Sequence, residues 1–396
     1  MRLGFLAAAF TIAIAAASAA PAQELRIGFL NTTTGGGSVI GTHIENGWKL
    51  GLERLGWTKD GDKLGGVPTT IFYGDDQLKT DVGKKEVEKF LTRDKVHVVA
   101  GIIWSNVMMA VADDVFAAKT LLVSANAGPG PLAGEKCNPL WVSAAFQNDQ
   151  MSEAAGELAN KDGVKSIYLL APNYQGGKDN VQGFRRTYKG KVVGETLFKV
   201  GETDFQAELS RVRVEKPEAV YVFAPAAMGV AFVKQWTASA LGKQSKLYSV
   251  YSIDGSTLAA IGDAAVGTYT TANWNADSLD PRNQAFLKAY KAKFNSMASF
   301  YAIAAYDAAT AIDAGVKATG GKTDDMAAVA RAIRKGTLSS PRGDLKYNHN
   351  GFLIQPYYEQ EVIKQADGKL WIKGGQAIFS RPDSYGDQCP AANRLQ

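Results

Sequence analysis

Side chains for metal and redox chemistry are scarce in this sequence. Its 396 residues include three histidines and two cysteines, which leaves little for a multi-ligand metal site, and no cofactor is expected. His43, His97 and His349 stand far apart, and each is expected as a packed or surface residue. H-E-x-x-H, C-x-x-C and G-x-S-x-G are all missing, so metalloprotease, thiol-redox and serine-hydrolase chemistry have no foothold. A dominant charge is missing too. The 44 Lys+Arg stand against 39 Asp+Glu, for a net charge of +5 spread along the chain. So small an excess argues against a nucleic-acid binder and against a polybasic membrane anchor. Past the first residues there is no charge-free apolar run of about 18 residues, so no membrane insertion is expected. The 41 glycines keep no G-X-Y period, and 46% hydrophobic with 21% charged residues is the balance of a folded globular chain.

Two glycine-rich stretches come close to nucleotide motifs and fail. Gly35 to Gly41 (GGGSVIG) follows an apolar run, but Ile40 occupies the last glycine position of G-x-G-x-x-G. The acid expected about 20 residues on is also out of place, since Asp75 and Asp76 arrive roughly twice as far away. Gly315 to Thr323 (GVKATGGKT) is one residue too long for a P-loop and has Val316 where its first glycine belongs. A helix end and turn explain those glycines better. An exported dinucleotide-dependent enzyme stays as a remote alternative; no catalytic residue is assigned.

What is present begins with an address. Residues 1–22 (MRLGFLAAAFTIAIAAASAAPA) have a basic Arg2, an apolar stretch and the small-residue box Ala20-Pro21-Ala22. These are the three parts of a secretory signal peptide, cleaved near Ala22. Cys137 and Cys389 then belong to an oxidising compartment, where a pair of cysteines forms a disulfide more often than it stays as two isolated buried thiols. Downstream, short apolar runs (Leu25–Leu30, Val96–Ala100, Leu121–Ser124, Ser166–Leu170, Ala219–Phe223, Leu247–Tyr251) alternate with amphipathic helical stretches. That rhythm means βαβ units and parallel sheets. It breaks near Val142–Asp149 and Thr270–Asp277, turns helical, and ends in a strand-rich stretch over Asp344–Ile363. An α/β lobe, a second lobe and a helical return imply two lobes connected more than once, with ligand chemistry just after the strands.

The sequence resembles the type I periplasmic solute-binding proteins of ABC importers, in particular the branched-chain amino-acid (Leu/Ile/Val) binding group. The resemblance runs through LRIGFLNTTTGGG, IFYGDD, VHVVAGIIWSN, LLVSANAGP, APNYQGGKD, TDFQAELSRVR, IDGSTLAAIGDAAVGTY and GDLKYNHNGF, in that order. It implies an α/β fold of two Rossmann-like lobes with parallel central sheets, joined by three crossovers near Ala144, Ala272 and Tyr347. The first lobe would hold residues 23–143 and 275–346, and the second 144–274 and 347–374. Residues 375–396 would be a tail packing back on the first lobe, tied there by Cys137–Cys389.

The resemblance also implies a site. Ser105, at the start of a helix, would meet a ligand carboxylate, its hydroxyl capping backbone N–H groups beside the helix dipole. The turn Asn126-Ala127-Gly128 would bring backbone close to the ligand, with Gly128 where amino-acid binders usually place a Thr hydroxyl. Tyr174 would cover the ligand from the second lobe, and Asp254 would pair with a ligand ammonium. Trp104, with Tyr301 and Phe300, would supply an aromatic wall. The implied protein is a monomeric, non-enzymatic periplasmic receptor that takes a small carboxylate-bearing solute to permease subunits of an ABC transporter. An amino acid is one ligand class. An aromatic carboxylate, which needs neither the missing hydroxyl nor Asp254, is the other. A sensory instead of a transport role stays open.

Overall fold

The computed structural model describes residues 23–395. The expected signal peptide and its cleavage point lie outside the described residues. Two sheets organise the chain. The first holds β1 (Leu25–Asn31), β2 (Lys63–Leu64), β3 (Val67–Asp75), β4 (Val98–Gly101), β5 (Leu121–Ser124) and β6 (Trp141–Ser143), in the order β2-β3-β1-β4-β5-β6. All pairs but β2–β3 are parallel. Helices on both faces bury β1, β4 and β5 almost completely, which is why these strands read as unbroken apolar runs instead of alternating ones.

The second sheet is built on β7 (Ser166–Pro172), β8 (Lys191–Phe198), β9 (Ala219–Phe223), β10 (Lys246–Val250) and β11 (Tyr269–Ala272). It continues through an antiparallel set: β12 (Thr337–Ser340), β13 (Gly343–Tyr347), β14 (Leu353–Lys364) and β15 (Leu370–Arg381). Its order is β12-β13-β14-β11-β10-β9-β7-β8, with β15 paired to β14 off this path. The boundary expected at residue 374 therefore falls inside β15, which pairs with β14 as far as Arg381. Only the residues beyond it turn back. There Cys389 is bonded to Cys137, with the two Cα atoms 5.5 Å apart, and Asn393 donates to the carbonyl of Cys137.

The chain leaves the first sheet after Ser143, leaves the second after Ala272 for the helices that follow, and re-enters the second at β12 and β13 to reach β14, whose first residues pair with β13 and whose body pairs with β11. Helices Pro281–Phe294 and Phe300–Ala318 pack on helix Ser38–Arg54, beside the first sheet. In each sheet the order of the parallel strands reverses at one strand, β1 between β3 and β4, and β7 between β8 and β9. These switch points leave crevices at the carboxyl ends of the strands, and the two crevices face each other. Among the described residues no helix is long and apolar enough to cross a membrane.

Candidate functional site

The residues at or just past five different strand ends converge on one cavity. β4 leads to Ile103, Trp104 and Ser105, β5 to Asn126, β7 to Tyr174, β9 to Phe223 and Pro225, and β10 to Tyr251. Reaching it strains the backbone. Ile102, Ala226 and Tyr251 take φ of 59°, 59° and 61°, a left-handed conformation that costs a side-chain-bearing residue about 1–3 kcal/mol. Positions of this kind persist only where the surroundings over-determine them, and here they aim the turns into the cleft.

Six aromatic rings stand in the wall: Trp104, Phe146, Tyr174, Phe223, Tyr251 and Tyr301. Trp104 stands edge-on to Tyr174 at 6.2 Å across the cleft, and Tyr174 stacks on Phe223 at 6.2 Å. Tyr251 meets Phe146 and Phe223 edge-to-face, each at 5.2 Å. The indole of Trp104 is fixed from behind, its Nε1–H donating to Thr32 Oγ1 at 2.8 Å, and that hydroxyl donating to Asp76 at 2.5 Å. Burial pushes the Asp76 carboxyl up to about 6, against the hydrogen bonds from Thr32 and the Leu78 N–H.

The polar groups are few, and no lining side chain is charged. Ser105 is the first residue of helix Ser105–Ala117, with Trp104 in the N-cap position and no side-chain cap bond. The expected capping role is therefore corrected: the Ser105 hydroxyl accepts from Asn148 Nδ2 at 2.9 Å and leaves the helix end alone. The helix ladder starts with Met108 N–H to the Trp104 carbonyl, so the N–H groups of Ser105, Asn106 and Val107 precede it. Asn126 donates to the Ile103 carbonyl at 2.7 Å, which leaves its Oδ1 buried without a partner. The Tyr301 hydroxyl is likewise buried and unpartnered. Buried acceptors and hydroxyls cost about 1–3 kcal/mol each when unsatisfied, so a bound molecule that satisfies them gains that much.

Trp104, Ser105, Asn126 and Tyr174 thus stand together, while Ala127, Gly128 and Asp254 do not line this cavity. The backbone donors of the turn are committed elsewhere. Asn126 N–H goes to Ser124 Oγ, Ala127 N–H to the Ile102 carbonyl and Gly128 N–H to Asn148 Oδ1. A side chain at 128 is excluded by packing, because a Cβ there would lie 2.0 Å from the Phe146 carbonyl oxygen. Asp254 lines a separate cavity with Trp274, Phe300 and Trp371. Its Oδ1 accepts from the Ser256 N–H at 2.6 Å and its Oδ2 has no partner; burial pushes the carboxyl up to about 6. Phe300, 5.6 Å from Tyr251 and 6.1 Å from Phe146, belongs to the wall of that second cavity. Sequence reasoning missed Phe146, Asn148, Phe223 and Tyr251. The position of Phe223 and Tyr251 at or just past an apolar run was the available signal.

Two lobes closing aromatic walls over a helix N-terminus define a receptor for a small solute. The chain belongs to the periplasmic binding protein family, whose model matches residues 24–369. It is a solute-binding protein of the ABC-transporter type. It is 25% identical over 378 residues to the Leu/Ile/Val-binding protein homolog 6 of Brucella melitensis biotype 1, covering 93% of this chain and 95% of the relative. Among solved structures it resembles an R. palustris solute-binding protein in complex with benzoate, with 27% identity and a TM-score of 0.84 over 92% of this chain and 99% of that one. A solute-binding protein of Rhodopseudomonas palustris BisB5 in complex with 3,4-dihydroxybenzoic acid gives 28% identity and a TM-score of 0.84, again over 92% and 99%.

Proposed function

We propose that this protein is an exported, non-catalytic receptor that binds an aromatic monocarboxylate between its lobes and presents it to a permease. The signal peptide is removed near Ala22, and the lobes close about the segments near Ala144, Ala272 and Tyr347. The observation that carries the ligand class is the make-up of the wall: six aromatic rings and no charged side chain. An α-ammonium buried there would have no counter-charge in the wall, since the acid behind it, Asp179, is taken up by Asn148, Gln175 and the Gly130 N–H, and the cost would be several kcal/mol. A carboxylate has the free N–H groups at the start of helix Ser105–Ala117, their dipole and the Ser105 hydroxyl. The relatives whose structures hold benzoate and 3,4-dihydroxybenzoic acid support the same class.

Amino-acid binding is the competing reading, favoured by the unpartnered Asp254 oxygen. Calorimetry with benzoate and with L-leucine separates the two. Tight benzoate binding, weakened about 10- to 150-fold in Ser105→Ala as loss of a hydrogen bond to a charged group predicts, is the expected result. Leucine binding with no benzoate binding overturns the aromatic reading.

A further inference from the structure

Asn148 opens helix Asn148–Lys161, directly after the first passage between the sheets, and touches three groups at once. Its Oδ1 accepts from the Gly128 N–H at 3.0 Å, while its Nδ2 donates to Ser105 Oγ and to Asp179 Oδ2, both at 2.9 Å. A backbone N–H can only donate, so Gly128 fixes which end of the amide is oxygen. Asp179 fixes the other end. Its carboxylate, on helix Gln175–Thr187, also receives the Gly130 N–H at 3.2 Å and Gln175 Nε2 at 2.7 Å. Every neighbour of Asp179 in this set is a donor, so its oxygens serve as acceptors there, and these hydrogen bonds work against the burial that pushes its carboxyl above the usual range. The amide therefore cannot turn over without opposing a donor to a donor at Gly128 and an acceptor to an acceptor at Asp179.

One consequence reaches the cavity. A hydroxyl has one hydrogen and two lone pairs, and an amide NH2 has no lone pair to offer. With Asn148 donating into the Ser105 oxygen, the Ser105 hydrogen has no acceptor in that direction and is left for the cavity. We infer that Asn148 is a positioning residue for ligand recognition: the Gly128–Asn148–Asp179 chain presets Ser105 as a hydrogen-bond donor and so selects a ligand that presents an acceptor, a carboxylate. This rests on the carboxylate docking at Ser105, as proposed above, but not on the ligand being aromatic.

A double-mutant cycle between positions 105 and 148 tests it, read by calorimetry with benzoate and L-leucine as the probes. Asn148→Asp turns the donor into an acceptor and draws the Ser105 hydrogen away from the cavity. It also sets a second acid against Asp179, and whatever charge the pair then carries repels a carboxylate on its own; the Ser105→Ala background measures that part separately. For whichever probe the wild type binds, Asn148→Asp should weaken affinity about 100-fold with Ser105 present and about 10-fold or less in the Ser105→Ala background, the difference being one hydrogen bond to a charged group. Asn148→Ser, too short to reach Ser105 and neutral, guards against an Asp variant that does not fold. It should cost several-fold with Ser105 in place and nothing once Ser105→Ala has removed the hydroxyl. Equal costs in the two backgrounds for either variant overturn the role of Asn148 while leaving the receptor reading intact. Benzoate failing where leucine binds and shows the coupling overturns the aromatic reading alone. Neither probe binding the wild type removes the carboxylate at Ser105, and this inference with it.

Discussion

Asp254→Asn should make the ligand-free protein more stable, and only above a definite pH. The carboxyl is buried, one oxygen holds the Ser256 N–H and the other has no partner. Taken out of water with no cation beside it, the group ionises near 6 in the folded chain instead of near 3.8. A folded acid with a raised value is a burden where it must be charged. Below 3.8 both folded and unfolded chains carry it protonated, and it costs nothing. Between 3.8 and 6 the unfolded chain ionises while the folded one does not, so stability falls as pH rises, and above 6 the loss is complete. At about 1.4 kcal/mol per pH unit the full cost is roughly 3 kcal/mol. Asparagine keeps an acceptor for Ser256 and never carries the charge. For a chain of this length about 3 kcal/mol corresponds to a rise in Tm of about 4 °C. Scanning calorimetry of the two proteins at about pH 8 and about pH 4 reads this directly. A gain at the higher pH that vanishes at the lower is expected; no gain at the higher pH, or the same gain at both, refutes the account of Asp254 as an uncompensated buried acid. The variant also bears on the ligand. Benzoate affinity should hold, whereas a receptor that pairs Asp254 with an ammonium should lose about 3–5 kcal/mol of binding.

Two further outcomes follow from the tail and the lobes. The Cys137–Cys389 bond closes a loop of 252 residues, so replacing both cysteines by serine should lower stability by up to about 5 kcal/mol in the chain-entropy account, seen as an earlier denaturant midpoint. A midpoint that does not move would mean that the tail holds without the bond, through contacts such as Asn350 with Asp383 and Tyr385 with Asp149. Small-angle scattering should give a smaller radius of gyration with saturating benzoate than without it, because ligand contacts on both lobes favour the closed arrangement. An unchanged radius with calorimetrically proven saturation would remove the clamp.

The parts of this protein legible in its sequence are those set by local chemistry. Strands buried on both faces read as unbroken apolar runs, so β1, β4, β5, β7, β9 and β10 and the α/β class were all readable. Residues just beyond such strands lie at the sheet's open end, which is how Trp104, Ser105, Asn126 and Tyr174 could be singled out before their convergence was visible. Helix Asn148–Lys161 was missed although Met151, Ala154, Ala155, Leu158 and Ala159 give it an apolar stripe. Its first turns also bury Asn148, Asp149, Gln150, Ser152 and Glu153, and the chain up to Asp149 read as a break. Its polar side chains are satisfied by partners far away in the chain, Ser105 and Asp179 for Asn148 and Arg186 and Tyr385 for Asp149. Such bonds exist only once both sheets are in place. The same holds for Gly128, whose lack of a side chain looked like a lost hydroxyl until the Phe146 carbonyl was found against it. It holds for Asp254 as well, which a family pattern puts beside the ligand and the turn after β10 carries to another cavity. Sequence set the strands and the ends at which chemistry would lie. Which of those ends meet, and with which hydrogens pointing inward, was decided by packing between segments far apart in the chain.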